Sequence, residues 1–90
     1  MNEFSDNKEL GQYELTTDSG KAVLEYSLDG DVINLLHTIV PVADRGQGVA
    51  AKLVRAALDD ARQRDLRVKP TCTYVADFVK RNTEYQDVVI

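Results

Sequence analysis

Four features of this 90-residue chain carry residue types that do chemistry: the run Arg45-Gly46-Gln47-Gly48-Val49-Ala50, the single histidine His37, the single cysteine Cys72, and Tyr74 two residues after it. The run lies between an apolar segment and a helical one. Its two glycines let backbone approach a ligand without a Cβ in the way. The helix that follows turns its unpaired N–H groups and the positive end of its dipole back toward the loop. Such a unit is an anion site, and pyrophosphate is its usual guest. His37 sits in an apolar strand, with Leu35 and Ile39 on its face by alternation. Burial there disfavours the imidazolium and leaves a neutral base; a packed core histidine bonded to backbone is the other open reading. Cys72 falls where a strand gives way to a helix, a position that lowers a thiol pKa and raises the thiolate fraction. A small buried hydrophobe is the alternative there. Tyr74, like Tyr85, offers either a hydroxyl for proton transfer or a ring for packing.

The elements that must position these groups are legible in the periodicities. Residues 1–10 are polar and read as a frayed, disordered terminus, leaving residues 11–90 as one domain. Residues 13–17 form a first strand, closed by Asp18-Ser19-Gly20. In residues 21–28, Ala22, Leu24, Tyr26 and Leu28 share one face of a half-buried strand. Asp29-Gly30 is a two-residue hairpin turn. Residues 32–40 are apolar on both faces, which predicts a central strand covered on each side. Pro41 ends it. Ala50, Leu53, Val54, Ala57, Leu58 and Ala61 then recur at helical spacing, and Asp65, which tolerates the left-handed conformation, stops that helix. Residues 66–71 form a strand reached by a crossover and hence parallel to residues 32–40. Thr73 caps a second helix over residues 74–81, and Thr83-Glu84-Tyr85-Gln86 has capping-box spacing for a last turn. The order is β-β-β-α-β-α: an α+β domain with a mixed sheet, a three-stranded antiparallel meander and one parallel crossover.

Composition narrows the partners. The net charge is -4 and 43% of residues are hydrophobic, enough for one small core. An acidic chain lacks the basic footprint of a nucleic-acid binder, and no apolar run reaches the ~20 residues of a membrane helix. One cysteine excludes an internal disulfide, and with one histidine it argues against a zinc cluster. Without a signal-peptide pattern, a cytoplasmic monomer is the simplest expectation. The charge is uneven. Arg45, Lys52, Arg55, Arg62, Arg64, Arg67 and Lys69 make a basic half that can meet a polyanion, although Arg62 and Arg64 read as a solvated helix face. Gly46-Gln47-Gly48-Val49-Ala50-Ala51 also fits the dinucleotide fingerprint, but that motif opens a parallel fold rather than following a meander. The Gly-Lys-Ser/Thr ending of a phosphate-binding Walker loop is missing.

Arg45-x-x-Gly48-x-Ala50 resembles the (Gln/Arg)-x-x-Gly-x-(Gly/Ala) motif of the Gcn5-related N-acetyltransferases. The longer series His37-Thr38-x-Val40-Pro41, Arg45-Gly46-x-Gly48, Thr71-Cys72-x-Tyr74 and Arg81-Asn82 is similar to a branch of very short, single-domain members. The resemblance implies an acetyl-CoA site. Backbone amides of Arg45, Gly46, Gln47, Gly48, Val49 and Ala50 would cradle the pyrophosphate. The pantetheine arm would run between the splayed 32–40 and 67–71 strands and bond along Thr38, Ile39 and Val40. Asn82, with Arg81 or Lys80, would reach the coenzyme from the far side. Lys52 and Arg55 would meet the ribose phosphate or be plain helix charge. Cys72 would carry the acetyl group covalently or touch it as a polar neighbour, Tyr74 would act as general acid, and His37 as base. The implied activity is acetyl transfer to an amine on a small molecule or protein. The alternatives are an (acyl-)CoA-binding module without catalysis and a structural α+β domain without a ligand. Full-size relatives carry N-terminal helices and a C-terminal hairpin around the acceptor, so here the acceptor side is expected to be shallow, open or completed by another chain.

Overall fold

The computed structural model describes residues 3–90, so Met1 and Asn2 lie outside it. One five-stranded sheet runs in the order β1-β2-β3-β4-β5. Its strands are β1 (Glu3–Asn7), β2 (Gln12–Thr17), β3 (Gly20–Asp29), β4 (Val32–Ile39) and β5 (Arg67–Pro70). The first four pair antiparallel and β5 lies parallel to β4. Helix α1 (Val49–Gln63) makes the crossover, α2 (Thr73–Arg81) follows β5, and short 3-10 turns occupy Val42–Asp44 and Thr83–Tyr85.

The buried apolar residues of β2 to β5 lie on one face. Tyr13, Leu15, Ala22, Leu24, Ile33, Leu35 and Val68 form a single core with Leu53, Val54, Ala57 and Leu58 of α1 and with Val75, Phe78 and Val79 of α2. The apolar periodicity of both helices is spent on this face. The two helices lie side by side: Arg55 of α1 reaches Asn82 and Glu84 beyond α2 and stacks over the Phe78 ring, 5.3 Å from its centroid. On the opposite face, among the described residues, only Glu14 is buried, held by Asn7, Gln12 and Lys21.

Five expectations need correction. The frayed terminus over residues 1–10 contains strand β1, so the meander has four strands rather than three. Phe4 stacks on Tyr13 at 5.5 Å, and Asp6 accepts a 2.6 Å hydrogen bond from Tyr26 and pairs with Arg64. Two anchoring side chains outweigh the polar composition. Arg64 also pairs with Asp60, which accepts from the Tyr13 hydroxyl. Burial, reinforced by Asp6, pushes the Tyr26 phenol up to about 12. Second, β4 is covered on one face only, because both helices pack on the same side. Third, α2 is capped by Cys72, not Thr73. Fourth, the last turn forms without its capping box: the Gln86 side chain donates to the Val79 carbonyl instead. The fifth is local and decides the site. Tyr26 opposes Leu35, but Glu25 opposes His37, so Leu36 is an extra residue in β4. This bulge shifts the alternation. Thr38, paired with Leu24, takes the core face that Ile33 and Leu35 hold before the bulge. His37 and Ile39 turn to the uncovered face, and both are exposed. His37 therefore does not share a face with Leu35, and the argument from burial for a neutral imidazole does not hold.

Asp65 adopts φ 56° at the end of α1, as expected, and Leu66 donates back to the Ala61 carbonyl at 2.8 Å. Beyond β5, Val68 pairs with the tail: its N–H donates to Val88 at 2.7 Å and its carbonyl accepts from Ile90 at 3.0 Å. That tail covers the outer edge of the sheet.

Candidate functional site

The β4–β5 ladder ends at Leu35 opposite Pro70. Pro70 has no N–H to continue it, and the chain then turns into α2. The Cys72 N–H takes the last β4 carbonyl on that side, Leu35, at 2.8 Å. Beyond this point β4 follows its bulge away from β5. Its edge beyond Leu35 has no ladder partner on that side among the described residues, and a groove of about 650 Å³ opens between it and the start of α2. Glu25, His37, Thr38, Ile39, Cys72 and Tyr74 are among its lining residues. His37 and Thr38 point to opposite faces of the sheet and both line the groove, so it passes the edge of β4.

The groove continues toward α1. A hollow of about 460 Å³ lined by Thr38, Val40, Arg45, Ala50 and Tyr74 leads to one of about 290 Å³ at the loop, lined by Asp44, Arg45, Gly46, Gly48, Val49 and Tyr74. Gly48 is the N-cap of α1 at φ 77°, and Gly46 has φ 78°, a conformation glycine adopts without penalty. No side chain caps α1 and its first turn holds no acidic residue. The amides of Val49, Ala50 and Ala51 therefore lack an intrahelical partner. Among the described residues those of Gly46 and Gly48 also have no acceptor, whereas the Arg45 N–H is bonded to Val42 at 3.2 Å and that of Gln47 to Asp44 at 3.3 Å. The loop thus presents five donors, Ala51 among them, and not the full set of residues 45–50. Gln47 works as a brace, its side-chain amide donating to the Ala43 carbonyl at 3.0 Å. Asp44 is buried and accepts from the Thr17 hydroxyl at 2.6 Å, tying the loop to the β2–β3 hairpin. Nothing in the sequence signals that tie, because it joins residues 27 positions apart.

The remaining expected residues separate into two groups. Cys72 is 8% exposed and its Sγ lies 3.4 Å from the Thr38 hydroxyl. Burial pushes the thiol up, but hydrogen bonding from the Thr38 hydroxyl and from the backbone of Val75, Tyr74 and Thr38 outweighs it, and the thiol lies below its ordinary value. Tyr74 is 40% exposed and stands outside the core, lining the trough from groove to loop. Asn82 is engaged at both ends, donating to the Phe78 carbonyl at 2.9 Å and accepting from Arg55 at 3.2 Å. It lines a separate hollow of about 300 Å³ with Arg55, Arg81 and Tyr74. Lys52 is exposed on α1 and lines none of these hollows. Glu25 escaped the sequence reading; the bulge is what sets it opposite His37.

The Thr38 contact makes a prediction. Thr38→Val keeps the shape and removes the hydroxyl, so the Cys72 thiol is expected to titrate at higher pH. At neutral pH the thiolate population then falls, because a raised thiol pKa leaves less of the group ionised. Thiolate absorbance followed against pH in both chains checks this; coincident titrations would show that Thr38 does not tune the sulfur.

An α+β sheet that splays beside a donor-rich loop and a helix N-terminus is the fold class to which comparison with known proteins points. A family model described as GCN5-related N-acetyl-transferase matches residues 12–88. The chain belongs to that family. It is 48% identical over 63 residues to Protein NATD1 of Bos taurus, a match covering 69% of this chain and 56% of that protein. Protein NATD1 of Danio rerio is 43% identical over 67 residues, covering 73% and 61%. The match thus spans a little over half the length of these relatives. The solution structure of a GCN5-like protein from Staphylococcus aureus superposes with a TM-score of 0.70 at 24% identity, covering 98% of this chain and 87% of that one. Among the described residues no helix is long and apolar enough to cross a membrane.

Proposed function

We propose that the protein binds acetyl-CoA along this trough and transfers its acetyl group to an amine acceptor. The observation that carries the reading is the edge of β4 beyond Leu35, which has no ladder partner on that side among the described residues and runs between the free amides of the α1 N-terminus and the Cys72 sulfur. The donor set suits the ligand. The amides of Gly46, Gly48, Val49, Ala50 and Ala51, with the Arg45 guanidinium, match a pyrophosphate. The backbone of Thr38, Ile39 and Val40 matches the amides of a pantetheine arm, which an open strand edge binds as an added strand. Arg55, Asn82 and Lys52 are outer contacts for the ribose phosphate, with Arg55 the better placed because it lines the adjoining hollow.

The bound thioester supplies an activated acetyl group. His37, exposed at the mouth of the groove, takes a proton from the incoming ammonium. Tyr74 holds its hydroxyl on the trough wall as proton donor for the departing sulfur. Cys72, with its thiol lowered, serves as nucleophile or as polar neighbour of the acetyl group. A cytoplasmic, monomeric protein goes with this reading. Binding of acyl-CoA without turnover is the second reading, favoured by the exposure of His37 and Ile39 on the face of β4 that no helix among the described residues covers.

The test is a thermal shift with acetyl-CoA, followed by thiol release in the presence of a lysine peptide. At a hundredfold excess over Kd, linkage adds about 2.7 kcal/mol to stability, which raises Tm by ~10 °C or more in a domain this small. No shift rejects the binding site. A shift without thiol release leaves the binding module.

A further inference from the structure

We infer that Thr17 is a positioning residue for the coenzyme loop: its hydroxyl holds the Asp44 carboxylate off the loop amides that would take phosphate. This rests on the proposed acetyl-CoA site and names a residue outside it that keeps it open. Among the described residues, the loop hollow of about 290 Å³ is lined by two charged side chains, Arg45 and Asp44. Arg45 suits a pyrophosphate; Asp44 opposes one. Asp44 is 6% exposed. Its carboxylate has one partner among the described residues, the Thr17 hydroxyl, 2.6 Å from Oδ2, while Oδ1 has none and is not sealed from solvent.

A carboxylate at this place has another partner close by. Asp44 is the last residue of the 3-10 turn Val42–Asp44, two positions before Gly46. An aspartate side chain bonds readily to the N–H two residues on, and the Gly46 N–H has no acceptor among the described residues. The positive end of α1 draws an anion in the same direction. In that arrangement Asp44 fills one of the five donors and sets a negative charge before the others. The Thr17 hydroxyl prevents it, and that hydroxyl is itself oriented. Its oxygen accepts from the Ser19 N–H at 3.1 Å, and its one proton goes to Asp44 at 2.6 Å rather than to the Gly20 carbonyl at 3.4 Å. A short bond to a charged acceptor outweighs a long one to a neutral carbonyl. The hairpin also sits against the approach to the loop: a Cβ on Gly20 would lie 3.6 Å from Pro41 Cγ.

The test is calorimetric titration of coenzyme A into the native chain and three variants. Thr17→Val keeps the shape and releases Asp44, and affinity is expected to fall about tenfold. Thr17→Ser restores the hydroxyl and is expected to stay within about twofold of native. Asp44→Ala removes the anion together with the tie and is expected to bind about threefold more tightly. A tie that only anchors the loop predicts equal losses in Thr17→Val and Asp44→Ala; that result overturns the inference, as does native affinity in Thr17→Val. A second readout needs no coenzyme. In the free chain, exchange of the Gly46 N–H with water, followed by NMR, is expected to slow in Thr17→Val because Asp44 covers it, whereas a loosened loop exchanges faster. Unchanged or faster exchange rejects the role given to Thr17. If the native chain binds no coenzyme A, it is the proposed function that has failed, and the exchange rates alone then decide what Thr17 does.

Discussion

A Gly48→Glu chain is expected to fold and to lose acetyl-CoA binding by about two to three orders of magnitude. Gly48 caps α1 at φ 77°, and a Cβ there meets no heavy atom within 4 Å. The substitution therefore costs stability through backbone strain, roughly 1–2 kcal/mol, and not through a clash. The cost to binding is electrostatic. A carboxylate set about 4 Å from a phosphate at the protein surface is opposed by ~4 kcal/mol. Even half of that is about a thirtyfold loss, before the new side chain blocks access to the amides. Gly48→Ala is the control, since it carries the same strain without the charge and is expected to lose less than about tenfold. Calorimetric titration of both separates strain from occupancy. Wild-type affinity in Gly48→Glu means that the phosphates lie elsewhere.

The second large effect is expected at Cys72. If the sulfur carries the acetyl group, Cys72→Ser lowers the transfer rate by about 100-fold or more, because a serine hydroxyl is far less ionised than a thiol already lowered by Thr38. The change is nearly isosteric, and the new hydroxyl still faces Thr38, which is 3.4 Å from the sulfur in the native chain. Stability is therefore expected to change little. Intact mass after incubation with acetyl-CoA gives the qualitative readout: one acetyl group gained by the native chain and none by Cys72→Ser. A rate within about threefold of native removes the covalent role and leaves direct transfer to the amine, with Cys72 as packing and polar neighbour.

The parts of the fold written in short-range pattern were legible in the sequence. The period of α1, the Asp29-Gly30 turn and the αL stop at Asp65 each follow from a few adjacent residues, and the parallel crossover follows from chain handedness. The bulge was not. Counting back from the Asp29-Gly30 turn sets Leu36 opposite Glu25; inserting one residue replaces it with His37 and exchanges the faces of everything beyond. A period-2 reading of an apolar strand has no signal for that insertion. It put His37 in the core, where the chain exposes it, and it overlooked Glu25. Strand β1 was missed for a related reason: its anchors, Phe4 and Asp6, act on Tyr13 and Tyr26, across the sheet rather than along the chain. The loop glycines were legible because positive φ and an uncapped helix leave a mark in residue type alone.

The account depends most on the empty-handed amides at the mouth of α1. Titrating the 15N-labelled chain with acetyl-CoA tests them directly: the signals of residues 46 and 48–51 are expected to shift together and saturate, along with those on the β4 edge at residues 36–40. Shifts confined to other parts of the chain, or none at saturating ligand, would contradict it.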